Sequence, residues 1–231
     1  MVKLRKNKPR HVAADLATAD GRARARRELI WGDHGFLRLR FQNLHQISDE
    51  MYRANQPSPE HIAAHAADRG IKTIINLRGV SSKGYYLLEK EACAAHGIEL
   101  VDFQAFSRDT PSRYVLFGAR DLFEQIAYPA LMHCKSGADR AGLMSVLYMH
   151  FRKGLPISQA KDQLSLKYLH VRQGKTGMLD YFFERYLADT ASAPKSFTQW
   201  AAEDYDRHQI KAEFLGRTEA KLNIDRLLRR E

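Results

Sequence analysis

The sequence predicts an α/β domain in which a central, largely parallel sheet is flanked by helices, followed by a helical C-terminal part. Between residues 51 and 151, short apolar and β-branched runs alternate with longer helical patterns, the order expected of parallel strands joined by helices. Turn-forming Gly and Pro residues separate these stretches, and after residue 151 the pattern is helical throughout. The 231 residues suffice for one such domain with appendages.

The first strand, helix and second strand have clear boundaries. Residues 51–53 are typical of a short strand. A helix is predicted to begin after Ser58, a suitable N-cap, with Pro59 at its first position, and to end at Gly70. Residues 71–77 are apolar and rich in β-branched side chains, which predicts a buried strand.

The same alternation continues to the end of the domain. We predict a helix over residues 84–96, a strand over 98–103, a helix that opens at Thr110-Pro111 and ends before Pro129, a strand over 130–133 and a helix over 141–151.

The charge of the chain is unevenly distributed. The protein carries 37 Lys and Arg against 27 Asp and Glu, a net charge of +10 and a pI near 9.6. Residues 1–30 hold nine of the basic residues and only three acidic ones. We therefore divide the chain into a basic N-terminal arm (1–30), a globular domain (31–187) and a helical tail (188–231) that packs on the domain. The basic excess favours an anionic partner, such as phosphate groups, acidic lipid or nucleic acid.

Both ends of the chain have helical patterns. Residues 22–31 predict a short basic helix that is anchored to the domain by three apolar residues, Leu29, Ile30 and Trp31. The arm is interpreted either as a contact with an anionic membrane surface or as a solvated tail. At the other end, Ser196 is a suitable N-cap for a helix whose aromatic neighbours are expected to pack on the domain: Phe197, Trp200 and Tyr205.

The composition also bears on the cellular compartment of the protein. Two cysteines cannot build a disulfide framework and fit a reducing environment. No apolar run approaches the roughly 18–20 residues that span a bilayer. The basic start is not followed by the apolar stretch of about 7–15 residues that a secretory signal needs. We expect a cytoplasmic protein, with peripheral membrane attachment through the arm as an open alternative and nucleic acid as a disfavoured partner.

The clearest chemical signal lies between the last predicted strand and helix. A loop of this length can turn its backbone amides inward, and the helix N-terminus adds partial positive charge, so that together they form a cradle for a phosphate group. Arg140 can clamp two phosphate oxygens, and Cys134 lies where a thiolate would attack phosphorus. The residues predicted to bind phosphate are Lys135, Ser136, Gly137, Ala138, Asp139 and Arg140.

The segment His133-Cys134 with Arg140 six residues after the cysteine resembles the signature loop of the cysteine-dependent phosphatases, the protein-tyrosine and dual-specificity superfamily. Residues 51–57 and 71–78 look like the opening segments of its compact bacterial and fungal members, so that the resemblance covers roughly residues 45–187. It implies a dual-specificity-phosphatase-like fold and hydrolysis through a phosphocysteine intermediate, with neither a metal ion nor another cofactor.

Two features depart from the superfamily pattern. Ala141 stands where members usually have Ser or Thr, a hydroxyl that stabilises the departing thiolate, and Ser136 is the candidate substitute. The general acid is not evident either. In most members an Asp lies some thirty residues before the cysteine, where this chain has Asp102 and Asp109, whereas Asp139 resembles the Asp-Arg pair of some bacterial members. We favour Asp139 and keep Asp109 as the next candidate, with an N-capping role as the alternative for Asp109.

The predicted activity is that of a protein-tyrosine or dual-specificity phosphatase. Lys135, next to the nucleophile, keeps a lipid or inositol phosphate substrate open, because it resembles the loop of phosphoinositide phosphatases. Ala141 keeps open a phosphate-binding pseudophosphatase without turnover. Arg78, at the end of a predicted strand, is either a pocket residue or a surface residue, and Cys93 is expected to be an inert buried thiol.

Overall fold

The structure is a computed structural model that describes residues 13–228, with side chains up to residue 217. A five-stranded sheet lies at its centre, in the order β1-β2-β5-β3-β4. Strands β2 to β5 run parallel to one another, and β1 pairs with β2 in the antiparallel direction. The strands are β1 (His45–Gln46), β2 (Met51–Asn55), β3 (Thr73–Asn76), β4 (Glu99–Asp102) and β5 (Ala130–Cys134).

The helices connect and cover these strands. They are α1 (Ala19–Arg27), α2 (Gly35–Arg38), α3 (Pro59–Arg69), α4 (Gly84–Ala95), α5 (Arg113–Gln125), α6 (Asp139–Phe151), α7 (Ile157–Ala160), α8 (Met178–Asp189), α9 (Phe197–Glu203) and α10 (Arg207–Leu228). A π-helical turn spans Glu28–Gly32, and 3₁₀ turns span Lys161–Gln163, Leu166–Tyr168 and Lys175–Gly177. The fold class predicted from the sequence is confirmed.

Capping residues and glycines in the sequence predicted most helix boundaries. At α3, Ser58 Oγ accepts a hydrogen bond from the His61 amide, and Gly70 takes the left-handed conformation after the last turn. The prediction for α5 was wrong by two residues: Ser112, not Thr110, caps the helix, through a hydrogen bond from the Val115 amide. The Thr110 hydroxyl donates instead to a carbonyl in the C-terminal part of the chain.

Apolar side chains cover the sheet on both faces, which explains why its strands are apolar throughout. On β5, Met132 belongs to the larger core cluster beneath α5, α6 and α8, whereas Leu131 belongs to the smaller cluster beneath α3 and α4. The two free cysteines are divided in the same way, with Cys134 in the larger cluster and Cys93 in the smaller. The aromatic residues predicted to fix the tail are buried in the larger cluster: Phe197, Trp200 and Tyr205.

The described part of the N-terminal arm packs on the domain. Helix α1 lies against α4, where a Cβ on Gly84 would approach Ala25 O to 2.4 Å, so that only glycine permits this contact. Leu29 is buried as expected, but Trp31 is 66% exposed, contrary to its predicted role as an anchor. Leu29 and Trp31 are two positions apart in the same helical turn, so that their side chains point in nearly opposite directions. Five basic residues of the arm lie outside the described residues: Lys3, Arg5, Lys6, Lys8 and Arg10.

None of the helices in the described part of the chain has the length and apolar character needed to cross a membrane.

Candidate active site

Strand β5 delivers Cys134 to the carboxyl edge of the sheet, between β2 and β3. We call residues 134–140 the phosphate loop. It ends in the first turn of α6, where Arg140 donates a hydrogen bond to Leu77 O, at the end of β3, over 3.4 Å. Cys134 is almost fully buried, so that its sulfur lies at the base of the loop. The loop therefore occupies the position in which parallel α/β sheets collect ligands.

A buried arginine holds the outer side of the phosphate loop. Nη2 of Arg53 donates to Gly137 O and to Ala138 O, each at 2.8 Å, and Nη1 donates to Gln163 O at 2.8 Å. The guanidinium also lies over the Tyr168 ring, 4.1 Å from its centroid. Burial lowers the pKa of Arg53 to about 10, which still leaves the side chain charged at neutral pH.

Two more donors hold the remaining loop carbonyls outward. Asn43 Nδ2 donates to Ser136 O at 3.0 Å and to Tyr168 O at 3.2 Å, and Asn43 itself has a left-handed backbone with φ of 44°. The Gln56 amide donates to Lys135 O at 3.5 Å. All four carbonyls from Lys135 to Ala138 are thus bound by residues outside the loop.

These outward carbonyls determine where the loop amides point. In a trans peptide the N–H is directed away from the preceding C=O, so that the amides of residues 136–139 face the inside of the loop. The Gly137 amide accordingly donates to Cys134 Sγ over 3.3 Å. Gly137 has φ of 74°, and a Cβ there would lie 2.7 Å from the backbone carbon of Ala54. The loop amides thus face Cys134, and the close approach to Ala54 together with the positive φ requires glycine at position 137.

Hydrogen-bonded polar groups form a buried network that begins at His133, the residue before Cys134. His133 Nε2 is 2.5 Å from Glu89 Oε1, and both side chains are fully buried. Gln56 Nε2 donates to Glu89 Oε2 at 2.8 Å, and Gln56 Oε1 accepts from Arg78 Nη1 at 2.8 Å. His133 is therefore connected through Glu89 and Gln56 to Arg78. The sequence analysis had left open whether Arg78 is a pocket residue or a surface residue.

The network ends at a buried carboxylate in the N-terminal segment. Asp33 accepts from Arg78 through two nitrogens at 2.8 Å and from Arg38 at 2.6 Å, and Lys135 Nζ lies 3.5 Å away. Burial opposes ionisation of Asp33, but the guanidinium groups of Arg78 and Arg38 hold its pKa below the usual range. One carboxylate thus meets three cations, which leaves an excess of positive charge beside the phosphate loop.

Asp139, the favoured general acid, is bound to a histidine that sequence reasoning did not select. His170 Nδ1 lies 2.8 Å from Asp139 Oδ1, and His170 Nε2 lies 2.7 Å from Asp180 Oδ2. Burial disfavours the charged ring, but the hydrogen bonds to both carboxylates overcome it and raise the pKa of His170 to about 9. Because both ring nitrogens face carboxylate oxygens, the geometry requires a doubly protonated imidazolium.

Asp109, the second candidate, lies near the loop but its carboxylate is engaged elsewhere. It accepts from Arg207 at 2.6 Å and lies 3.2 Å from Lys211 Nζ, both in α10. Burial works against ionisation, yet these two cations hold the pKa of Asp109 below its usual range. The backbone around it lines a cavity of about 350 Å³ with Ala105, Phe106, Ser107, Arg108 and Arg140.

Asp102, the third carboxylate considered, is held at the end of β4. It accepts from Asn76 Nδ2 at 2.7 Å and from the Tyr86 hydroxyl at 2.6 Å. Of these three carboxylates, only Asp139 belongs to the phosphate loop. Asp109 lines the cavity next to Arg140, whereas Asp102 does not.

Ala141, which departs from the superfamily pattern, and Ser136, its candidate substitute, differ in environment. Ala141 is fully buried in α6. Ser136 is exposed, and its hydroxyl accepts a hydrogen bond from the Ala138 amide over 3.4 Å. Among the side chains that the structure describes, no group of three or more His, Cys, Asp and Glu could hold a metal ion.

The structure adds supporting residues that the sequence analysis missed: Asp33, Arg38, Asn43, Arg53, Glu89, His170 and Asp180. Of these residues, only Arg53 could have been recognised from the sequence. It is the one charged residue of β2, and a charged residue that is buried in a strand must find partners.

No protein-family model and no curated protein matches the chain. Solved structures do match. TpbA from P. aeruginosa is 15% identical with a TM-score of 0.51, and the match covers 70% of this chain and 92% of that chain. Tk-PTP in its active form is 19% identical with a TM-score of 0.50, and the match covers 63% of this chain and 99% of that chain. At such identities the likeness concerns the fold. The protein therefore has the fold of the cysteine-dependent phosphatases of the protein-tyrosine and dual-specificity type, as its signature loop predicts.

Proposed function

We propose that this protein is a metal-independent cysteine phosphatase, which hydrolyses phosphomonoesters through a phosphocysteine intermediate. The observation that carries the proposal is the fixed orientation of the phosphate loop, whose carbonyls are bound on the outside by Arg53, Asn43 and Gln56. The amides are thereby preorganised around Cys134 Sγ before any ligand arrives, which is the arrangement that stabilises a developing phosphoryl charge.

In the first step the loop amides and Arg140 hold the phosphate group, and the thiolate of Cys134 attacks phosphorus. An S–P bond forms, the P–O bond to the leaving group breaks, and the leaving oxygen takes a proton. Asp139 donates this proton. It is favoured over Asp109 because Asp139 belongs to the phosphate loop, whereas the Asp109 carboxylate is bound by two cations of α10.

His170 supports Asp139 in this role. Its contact is with Oδ1 of Asp139, and no second protein partner of that carboxylate is found in the described part of the chain. The imidazolium therefore orients the carboxylate and leaves its other oxygen for the leaving group and, later, for water.

In the second step, water attacks phosphorus, gives a proton to Asp139 and releases phosphate, and Cys134 departs as the thiolate. The amide hydrogen bond from Gly137 to Cys134 Sγ stabilises that thiolate. This is the task that the superfamily resemblance assigns to a hydroxyl at position 141. The amide supports turnover despite Ala141, against the alternative of a pseudophosphatase.

The cavity beside Arg140 supports a phosphotyrosine-type substrate. Its volume of about 350 Å³ and the exposed ring of Phe106 in its wall suit an aromatic leaving group. A lipid or inositol phosphate is the second candidate, favoured by the excess of positive charge that Arg38, Arg78 and Lys135 create beside the loop.

Phosphate release from p-nitrophenyl phosphate, measured with EDTA present, tests the proposal. We expect activity in the wild type and none in Cys134→Ser. Cys93→Ser is the matched control, since Cys93 lies in the other core cluster, and should remain active. Activity that persists in Cys134→Ser would overturn the proposal. Rates on a phosphotyrosine peptide and on a soluble inositol phosphate then distinguish the substrate classes.

A further inference from the structure

Exposed apolar side chains are concentrated in one short segment next to the phosphate loop. Twelve large apolar side chains are exposed in the part of the chain whose side chains are described, and five of them fall within residues 31–41. They are Trp31, Phe36, Leu37, Leu39 and Phe41. Such a concentration of exposed apolar side chains within eleven residues is typical of a surface that binds a partner or a membrane. We call residues 31–41 the docking segment.

Two charged side chains of the docking segment, Asp33 and Arg38, are turned inward, and five apolar side chains are left outside. Asp33 and Arg38 are buried and bound to each other at 2.6 Å. Backbone hydrogen bonds from Leu39 to Gly35 and from Phe41 to Leu37 close the turns between them. The rings of Trp31 and Phe36 lie 5.6 Å apart. The outward apolar surface is therefore built by fixed internal contacts.

The charges that accompany this surface are basic. Arg40 is exposed within the docking segment, and Arg27 is exposed at the end of α1, just before it. Asp33, the single carboxylate of the segment, is buried and neutralised by arginine. Residues 1–12, outside the described residues, contain five Lys and Arg and no Asp or Glu.

We propose that the docking segment binds the surface of an anionic lipid bilayer. Trp, Phe and Leu side chains partition into the boundary between headgroups and acyl chains, and neighbouring basic residues are attracted to anionic headgroups. The docking segment combines bulky apolar groups with an exposed arginine and has no exposed carboxylate of its own, which is complementary to such a bilayer in both respects. The exposed Glu60 lines a cavity with Leu39 and is paired with Arg26 at 3.3 Å.

The docking segment is tied directly to the phosphate loop. Asp33 contacts Lys135, the residue after the nucleophile, and Asn43, just beyond the segment, binds Ser136 O. Binding to a bilayer would therefore bring the loop to the lipid surface. Together with the proposed phosphatase activity, this implies a phosphomonoester that is presented at a membrane.

Co-sedimentation of the full chain with vesicles tests the proposal. One set of vesicles is phosphatidylcholine alone and the other also contains phosphatidylglycerol. We expect binding to the anionic vesicles only, weakened by salt. The double variant Trp31→Ser, Leu37→Ser removes the two most exposed apolar groups of the segment and should lower the bound fraction at least tenfold. The control is Leu215→Ser, an exposed leucine of α10, which should bind like the wild type.

Three outcomes would overturn the proposal: no binding of the wild type to anionic vesicles, an equal loss in the Leu215 control, or full binding of the double variant. Deleting residues 1–12 separates the basic end of the arm from the docking segment. If that deletion alone abolished binding while the double variant bound normally, the membrane contact would belong to the arm. Hydrolysis of p-nitrophenyl phosphate in solution, measured on the same proteins, tests the phosphatase proposal independently, since it requires no vesicle.

Discussion

Arg53 Nη2 donates a hydrogen bond to Gly137 O at 2.8 Å across 84 residues of sequence, and thereby connects β2 with the phosphate loop. The same nitrogen binds Ala138 O, so that one guanidinium fixes two consecutive peptide planes. Loop geometry in this protein thus depends on a side chain from a different strand, outside the loop itself.

Replacing Arg53 by lysine should damage both stability and activity. A single ammonium group cannot bind Gln163 O and also the two loop carbonyls, Gly137 O and Ala138 O. Each buried carbonyl left without a donor costs about 1–3 kcal/mol of stability. We expect a lower free energy of unfolding in urea and a kcat at least tenfold lower on p-nitrophenyl phosphate. Arg120→Lys, at an exposed arginine, is the control. Wild-type stability and kcat in Arg53→Lys would show that the loop holds its shape unaided.

The identity of the general acid can be tested by varying the leaving group. Asp139→Asn should lower kcat about 10²–10⁴-fold on an alkyl phosphate, where the leaving oxygen needs a proton, and much less on p-nitrophenyl phosphate. Asp109→Asn should leave both rates close to those of the wild type, because its carboxylate is paired with Arg207. The reverse pattern would assign the proton to Asp109.

The pH dependence of stability should reveal His170. Its ring gains two carboxylate partners on folding, so that the folded-state pKa of about 9 lies above the ordinary value of 6.5. The charged form therefore stabilises the fold fully below about pH 6.5, and this contribution is lost as pH rises through about 9. Urea unfolding across this interval should show a decline in the wild type that is absent in His170→Gln. His96→Gln, at an exposed histidine, should decline like the wild type.

The two cysteines should react differently with an alkylating agent. Burial raises the pKa of Cys93 to about 12, so that its thiol stays protonated at neutral pH. Iodoacetamide should therefore label Cys134, and inorganic phosphate should slow the labelling by occupying the loop. Peptide mass spectrometry gives the sites. Labelling of Cys93 at a comparable rate, or labelling of Cys134 that ignores phosphate, would contradict this assignment.

Sequence reasoning succeeded where structure depends on neighbours along the chain. The boundaries of α3 follow from Ser58 and Gly70, and the strand-loop-helix arrangement follows from the spacing between Cys134 and Arg140. It failed where a partner is remote. Asn43 binds a carbonyl 93 residues away, and His170 binds a carboxylate 31 residues away. No periodicity or local spacing in a single sequence encodes such pairs, because they arise only when distant elements pack together.

The N-terminus of α5 shows that even a local boundary can be mispredicted from sequence. The sequence predicts that α5 opens at Thr110, but the Thr110 hydroxyl donates to the carbonyl oxygen of Arg207, and Ser112 caps the helix. A tertiary contact with the start of α10 thus decided a local boundary.

The long reach of the contacts around the phosphate loop has a consequence for biosynthesis. Asn43 leaves the ribosome well before Ser136, and Asp180, which fixes His170 and through it Asp139, is made later still. A nascent chain can expose Cys134 before His170 and Asp180 exist, and Asp139 then lacks the contact that orients its carboxylate. Chains interrupted during translation before residue 180 would therefore carry the nucleophile without an ordered proton donor. The complete site is thus assembled only when the domain is nearly finished, because its contacts join residues that lie far apart in the chain.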